Sequence, residues 1–412
     1  MAPTPLVNSS VIDLDFDRPK ALSRLMRFLA VPGVTGHEKA IGQAVVEALI
    51  KVKVPRRAIS FDDANQRIPL PTETGNMIVK LPGTRPGPRR MFMTHLDTVP
   101  LCAGAEPVRK GNRIVAAGRT ALGGDNRTGV ACLVTLAATL IERGLPHPPL
   151  TLLFTVREES GLWGARFVNP ADLNHPVEAY NVDGRSAQEI TVGAVGAERW
   201  QVEIVGRASH AGVHPEKGVS ATMVAALAMA QIHEGGWFAK IHHDGKEGTS
   251  NVGVFGGKDG QSAGEATNVV TDYAFIKGES RSHDSRFVKK ITAAYRDAFR
   301  EAANKVCDDR GRGAKIRFQS RLEYHPFHLA ENSPVVRHAV SAIKRTGLKP
   351  SLRIGNGGLD ANWMVRHGIP TITFGAGQNN IHAVGEYVDL SEFENACRLA
   401  IALATQEESN ER

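Results

Sequence analysis

Apolar positions recur at helical spacing in "PKALSRLMRFLAVPG" (19–33), which stops at Pro32-Gly33, and again in "HEKAIGQAVVEALIKV" (37–52). Short apolar runs then predict strands at "NMIVKLPG" (76–83), "RRMFMTHLD" (89–97), "PLTLLFTVREE" (149–159) and "AYNVDG" (179–184). Among them, "RTGVACLVTLAATLIERG" (127–144) predicts a long helix entered from a glycine-rich turn. Strands alternating with helices of this length predict an α/β layer fold with a mainly parallel sheet. In such sheets, sites gather at the carboxyl ends of the strands.

The pattern changes near residue 194. The order becomes strand (198–206), helix (220–235), strand (249–257), strand (269–281), helix (284–306) and strand (314–327). This β-α-β-β-α-β order is the split βαβ arrangement, a compact unit in its own right. After Pro326 the α/β alternation resumes with "SPVVRHAVSAIKRTG", "GGLDANWMVRHG", "IPTITFGAG" and a closing helix, "SEFENACRLAIALATQE". The expected organisation is therefore one domain in two parts, 1–193 and 328–412, with an inserted domain at 194–327.

Composition narrows the function classes. The 412 residues carry a formal net charge of +7, which permits anionic partners, but the basic residues are scattered. The one tight cluster, "RPGPRR" (85–90), reads as a turn ahead of a strand, so nucleic-acid binding is not expected. Cys102, Cys132, Cys307 and Cys397 lie far apart, which indicates neither a disulfide framework nor a cysteine zinc site. The opening residues lack a basic stretch followed by an apolar one, and no apolar run reaches membrane-spanning length. A cytoplasmic location without membrane partners is the expectation.

The chemistry concentrates at strand ends. The apolar run 150–156 stops at two adjacent carboxylates, Glu158 and Glu159, which repel each other and resist desolvation. A solvated turn explains such a pair, and so does a metal ligand beside a proton-transfer group. His95 and Asp97 are two residues apart, on the same side of an extended strand. Asp125 lies in the glycine-rich loop "ALGGDNRTG", where a helix cap is the ordinary role. Asp183 ends a strand and His382 follows another in "GAGQNNIHAVGEY". Each is unremarkable alone. Together they offer imidazoles and hard oxygen donors without thiolates at one sheet edge, a set suited to catalytic zinc, manganese or cobalt. One aspartate shared between two ions, about 3.5–4 Å apart, is a recurrent hydrolytic device.

The ordered series "THLDTV", "LGGDNRTGVA", "FTVREESGLWGA", "NVDG", "SHAGVHPEKGVSA", "GGLDAN" and "NNIHAVGEY" resembles that of the dinuclear zinc metallopeptidases related to peptidase T, carboxypeptidase G and aminoacylase. Within that family, "REESG" and "GDNRTG" are similar to the peptidase T branch. The resemblance implies a zinc-peptidase catalytic domain with an inserted ferredoxin-like lid that also serves as a dimer interface. It implies that His95, Asp125 and Asp183 hold one zinc, and that Asp125, Glu159 and His382 hold a second, with Co2+ or Mn2+ as substitutes. Asp97 would fix the tautomer of His95, and Glu158 would be the general base. His210, with His214 nearby, resembles the histidine that stabilises the tetrahedral oxyanion, in its own subunit or across a dimer. Asn268 and Arg281 match lid positions that contact substrate. Two departures stand out: Asn356 replaces the arginine that tripeptide aminopeptidases carry before Gly-Gly-Thr-Asp, and Leu359 replaces a small hydroxyl residue. The expected function is hydrolysis of amide bonds in short peptides by an aminopeptidase. The alternatives are an N-acyl amino acid deacylase or carboxypeptidase, or a metal-binding relative without catalysis.

Overall fold

The computed structural model describes residues 13–407. The first residues, on which the leader expectation falls, and the outer domain limits at 1 and 412 lie outside the described residues. The chain divides into two compact units, one running to Gly193 and resuming at Leu329–Ile354 and Leu359, the other comprising Ala194–His328 with Gly355–Gly358.

The first unit is built on a mixed sheet flanked by helices. Neighbouring strands run in the order Ile59–Phe61, Met77–Leu81, Leu150–Thr155, Arg90–His95, Glu178–Val182, Thr371–Phe374 and Glu189–Ala194. The four central strands, from Leu150–Thr155 to Thr371–Phe374, are mutually parallel. Every residue of Arg90–His95 and Leu150–Thr155 is buried, as expected for strands covered on both faces. Alternation sorts their side chains: Phe92, Leu152 and Phe154 join the large core under the long helices, while Met91, Met93 and Leu153 join a smaller core with Met364 and Ile369. In this parallel register His95 lies opposite Thr155, and the Asp183 N–H donates to the Phe374 carbonyl at 2.8 Å. The carboxyl ends carrying His95, the Glu158-Glu159 pair, Asp183 and the loop to His382 therefore share one edge.

Gly124–Arg143 is the long buried helix of this unit. Its entry is tighter than the sequence suggests. Gly123, at φ +80°, occupies the left-handed region, and Asp125 and Asn126 depart from helical geometry. Asp125 is thus held in an irregular turn rather than acting as a simple helix cap.

The second unit is a five-stranded antiparallel sheet in the order Ala239–His243, Lys246–Gly256, Tyr273–Ser282, Gly196–Val205 and Lys315–Tyr324. The helices Ala221–Glu234 and Ser285–Lys305 share a core with it through Trp200, Ile204, Val224, Ile276, Tyr295 and Phe299. The split βαβ order carries one strand beyond expectation, Ala239–His243. It is a mostly exposed edge with only Ile241 buried, so the apolar pattern does not reveal it. Among the described residues, no helix is long and apolar enough to cross a membrane.

Candidate metal centre

The strand Arg90–His95 delivers a buried His95 to the sheet edge. Its Nδ1 lies 3.0 Å from the Asp97 carbonyl oxygen and 3.3 Å from the Asp97 carboxylate. Both are acceptors, so Nδ1 carries a proton, and Nε2 is the atom turned to the centre. There Nε2 lies 3.1 Å from Asp125 Oδ1 and 4.0 Å from Asp183 Oδ1. On the other side, His382 Nε2 lies 3.2 Å from Asp125 Oδ2 and 2.9 Å from Glu159 Oε2. The two oxygens of Asp125 therefore each face a different imidazole. His95, Asp125 and Glu159 present ligand atoms within 4.8 Å of one another, close enough to hold a metal ion.

The paired glutamates are held by their backbone. Asp97 accepts the Glu158 N–H at 3.0 Å and the Glu159 N–H at 3.2 Å on its two oxygens. One side chain thus braces both the histidine and the glutamate pair. Arg157, at φ +53°, turns the chain out of the strand. Its N–H donates to buried Glu38 at 3.1 Å, and its guanidinium donates to Thr72 Oγ1, Ser160 Oγ and the Pro71 carbonyl. Asn76 Oδ1 accepts the preceding Val156 N–H at 3.1 Å. The strand ends at Thr155, and side chains from elsewhere accept the N–H groups of Val156, Arg157, Glu158 and Glu159 that follow it.

Electrostatics sets the demand on this pocket. Burial pushes Glu158 and Asp183 well above the usual carboxylate range and Glu159 up to about 7, and neighbouring carboxylates push in the same direction. Burial also raises Asp360 to about 6 although Thr155 donates to it. Asp125 goes the other way: burial would raise it, but hydrogen bonds from His382 and His95 outweigh that. His382 is lifted to about 10 by Asp125 and Glu159, and His95 rises well above its ordinary value, through Asp125 and Asp97, against the effect of burial. Asp97, Asp125, Glu158, Glu159, Asp183 and Asp360 thus crowd around two imidazoles. A cation relieves this excess of acids. The nearby Cys102 thiol is pushed up to about 12 by burial, so no thiolate joins the set. Imidazole nitrogens with carboxylate oxygens fit zinc, cobalt or manganese.

The structure thus brings together His95, Asp97, Asp125, Glu158, Glu159, Asp183 and His382. His210, Asn268 and Arg281 belong to the second unit. There the Ala211 N–H donates to the Asn268 carbonyl at 2.9 Å, so His210 and Asn268 lie on adjoining segments. His210 Nδ1 accepts the N–H groups of Gly212 and Val213, both at 3.2 Å, which leaves Nε2 as the protonated nitrogen. His214 instead pairs with Glu216 at 3.3 Å. Arg281 pairs with Glu279 of its own strand at 2.9 Å. Asn356 Oδ1 lies 3.2 Å from His283 Nε2.

Sequence reasoning missed Glu38, Asp360, Gln378 and Glu386. Glu38 looks like an ordinary residue ahead of the helix Lys39–Lys51. Gln378 Nε2 donates to Asn126 Oδ1 at 2.8 Å and approaches Asp183 at 3.4 Å. Glu386 accepts three backbone N–H groups around Asp125. Its one visible signal is an acid four residues after His382.

This fold and donor set define a metal-dependent hydrolase. The model of peptidase family M20/M25/M40 matches residues 91–406, and the chain belongs to that family. It is 31% identical over 330 residues to the uncharacterized protein YqjE of Bacillus subtilis, covering 80% of this chain and 84% of that one. Among solved structures, it resembles aminopeptidase PepT from Bacillus cereus, with 30% identity, a TM-score of 0.81 and coverage of 95% of this chain and 98% of that one. A tripeptidase from Staphylococcus aureus gives 25% identity and a TM-score of 0.84 over the same shares.

Proposed function

We propose that the chain is a peptidase T-like aminopeptidase that removes the N-terminal residue of short peptides with two zinc ions. The carrying observation is Asp125, whose two oxygens face His95 at 3.1 Å and His382 at 3.2 Å. In this reading His95, Asp125 and Asp183 hold one ion, while Asp125, Glu159 and His382 hold the other. Bound to these donors, the ions supply Lewis acidity that polarises the scissile carbonyl and makes a water nucleophilic near neutral pH.

The chain's own groups do the rest. Glu158 takes a proton from the attacking water as its oxygen bonds to the carbonyl carbon. It then gives that proton to the amine nitrogen as the C–N bond breaks. Asp97 keeps Glu158 and His95 in register through the contacts described above. The second unit is read as a lid and dimer contact, in which His210 donates from Nε2 to the developing oxyanion. Asn268 and Arg281 are read as contacts to the substrate's carbonyl or carboxylate.

The likeness to an aminopeptidase PepT and a tripeptidase supports this substrate class. The test is a panel of di- and tripeptides with free amines, beside their N-acetylated forms, with and without chelator. Chelator-sensitive cleavage of the free-amine set alone is expected. Release of acetate or of a C-terminal residue from the blocked set would replace this reading with a deacylase or carboxypeptidase.

A further inference from the structure

We propose that Glu386 is the positioning residue that sets Asp125 between its two imidazoles, an inference that rests on the metal-site reading above. Glu386 is buried, with 1% of its surface exposed. Its Oε2 accepts the N–H groups of Leu122 and Gly123, both at 2.8 Å, and its Oε1 accepts the Asp125 N–H at 3.0 Å. These donors open the turn into the long helix, where no carbonyl one turn earlier is available to them. A neutral amide of the same shape offers one acceptor oxygen and could not satisfy donors on both sides. A carboxylate does so with both oxygens, although burying it beside the Asp125 carboxylate is costly unless the charge serves the centre.

The neighbouring residues are fitted to this contact. Gly123 supplies the left-handed φ of +80°. At Gly124 a Cβ would lie 3.1 Å from Glu386 Oε1 and 2.8 Å from Val388 Cγ2, so the glycine lets the carboxylate approach. Glu386 also comes from the segment that carries His382, folded by the Glu386 N–H to the Ala383 carbonyl at 3.1 Å. A single stretch of five residues therefore grips Asp125 at both ends, with His382 on its carboxylate and Glu386 on its backbone. The N–H contacts hold the backbone of Asp125 while its side chain faces both histidines. Without them the turn relaxes and Asp125 loses its simultaneous reach to both sides.

The test compares the full chain with Glu386→Gln, measuring zinc affinity by competition with a chromophoric chelator and the unfolding midpoint of the zinc-free protein. The glutamine retains the shape but offers one acceptor oxygen, and its amide nitrogen meets N–H donors. Zinc binding is expected to weaken about 10- to 100-fold, the usual cost of losing a partner behind metal ligands, with turnover falling in parallel at limiting zinc. The zinc-free midpoint is expected to stay within about 3 °C of wild type. If Glu386→Gln does not fold, Gly124→Ala, which crowds the same carboxylate, is expected to weaken zinc binding in the same way. Zinc affinity within about threefold of wild type in the variant that folds would overturn the proposal. So would a weakening matched by an equal loss of zinc-free stability. A wild-type chain that binds no divalent ion would overturn the metal-site reading and this inference with it, whereas an unaffected variant beside zinc-binding wild type overturns only the role of Glu386.

Discussion

The two units use the same residue types in opposite ways. In the first, carboxylates are buried against one another: Glu38 and Glu159 are pushed up to about 7 and Asp360 to about 6, chiefly by burial. In the second, Asp284 is held down to about 2 by Lys246 and by N–H groups of the helix it caps. Asp308 is also held at about 2: burial would raise it, but the Arg312 N–H and guanidinium outweigh that effect, with Arg207 as a further partner. Asp284 and Asp308 are thus satisfied by their own protein, as structural ion pairs and caps are. Acids at the sheet edge of the first unit are left with fewer cations than charges, unlike Glu178 of the same unit, which pairs with Arg90 and His338. A surplus of unsatisfied acid at a sheet edge marks a site, because the fold gains nothing from it without a ligand.

The contrast breaks most visibly at Glu158. Glu158→Ala should lower turnover by about 100- to 10,000-fold, as for lost acid–base catalysis, while zinc content stays at the wild-type level. Turnover near wild type would remove Glu158 from the role of base. Zinc itself should discriminate between the units. At about 1,000 times its dissociation constant it should stabilise the protein by about 4 kcal/mol. The gain in amide-exchange protection should fall at 94–97, 122–126, 157–160 and 378–386, not at 196–205 or 273–324. Equal protection in both units would mean that zinc binds without regard to the surplus acid.

A smaller effect is expected at Asp97. Asp97→Asn retains size but replaces one acceptor by a donor facing an N–H, and should cost about 10- to 100-fold in zinc affinity or activity. The weakest effect concerns acid. Asp284 and Asp308 have folded pKa values below the ordinary 3.8, so their contribution to the second unit is complete above 3.8 and is lost as pH falls through about 2. Amide exchange across 285–305 should accelerate within that window in wild type, and in Asp284→Asn the acceleration should shrink. Loss of protection confined to higher pH would contradict the assignment.

Much of this was legible in the sequence because periodicity reports burial. The alternating faces of Arg90–His95 and the helical spacing of Gly124–Arg143 are written in their apolar residues. A parallel sheet then places the acids at its strand ends on one edge. Short polar strands carry no such signal, which hides the edge Ala239–His243 and the small sheet formed by Pro107–Lys110, Arg113–Ala116, Gln378–Asn379 and Tyr387–Asp389. The bracing was hidden for a different reason. Asp97 grips Glu158 and Glu159, and Glu386 grips Leu122, Gly123 and Asp125, through backbone N–H groups. Every non-proline residue has that group, so side-chain patterns leave no trace of which one is engaged.

In the proposed mechanism, Asp125 is shared by two ions in a working hydrolase. The most direct measurement titrates zinc into metal-free protein while recording both bound zinc per chain and cleavage of a free-amine tripeptide. Two zinc ions per chain, full activity only at the second equivalent and loss of both in Asp125→Ala are the predicted result. Full activity at a single equivalent, or cleavage unchanged in metal-free protein, would contradict it.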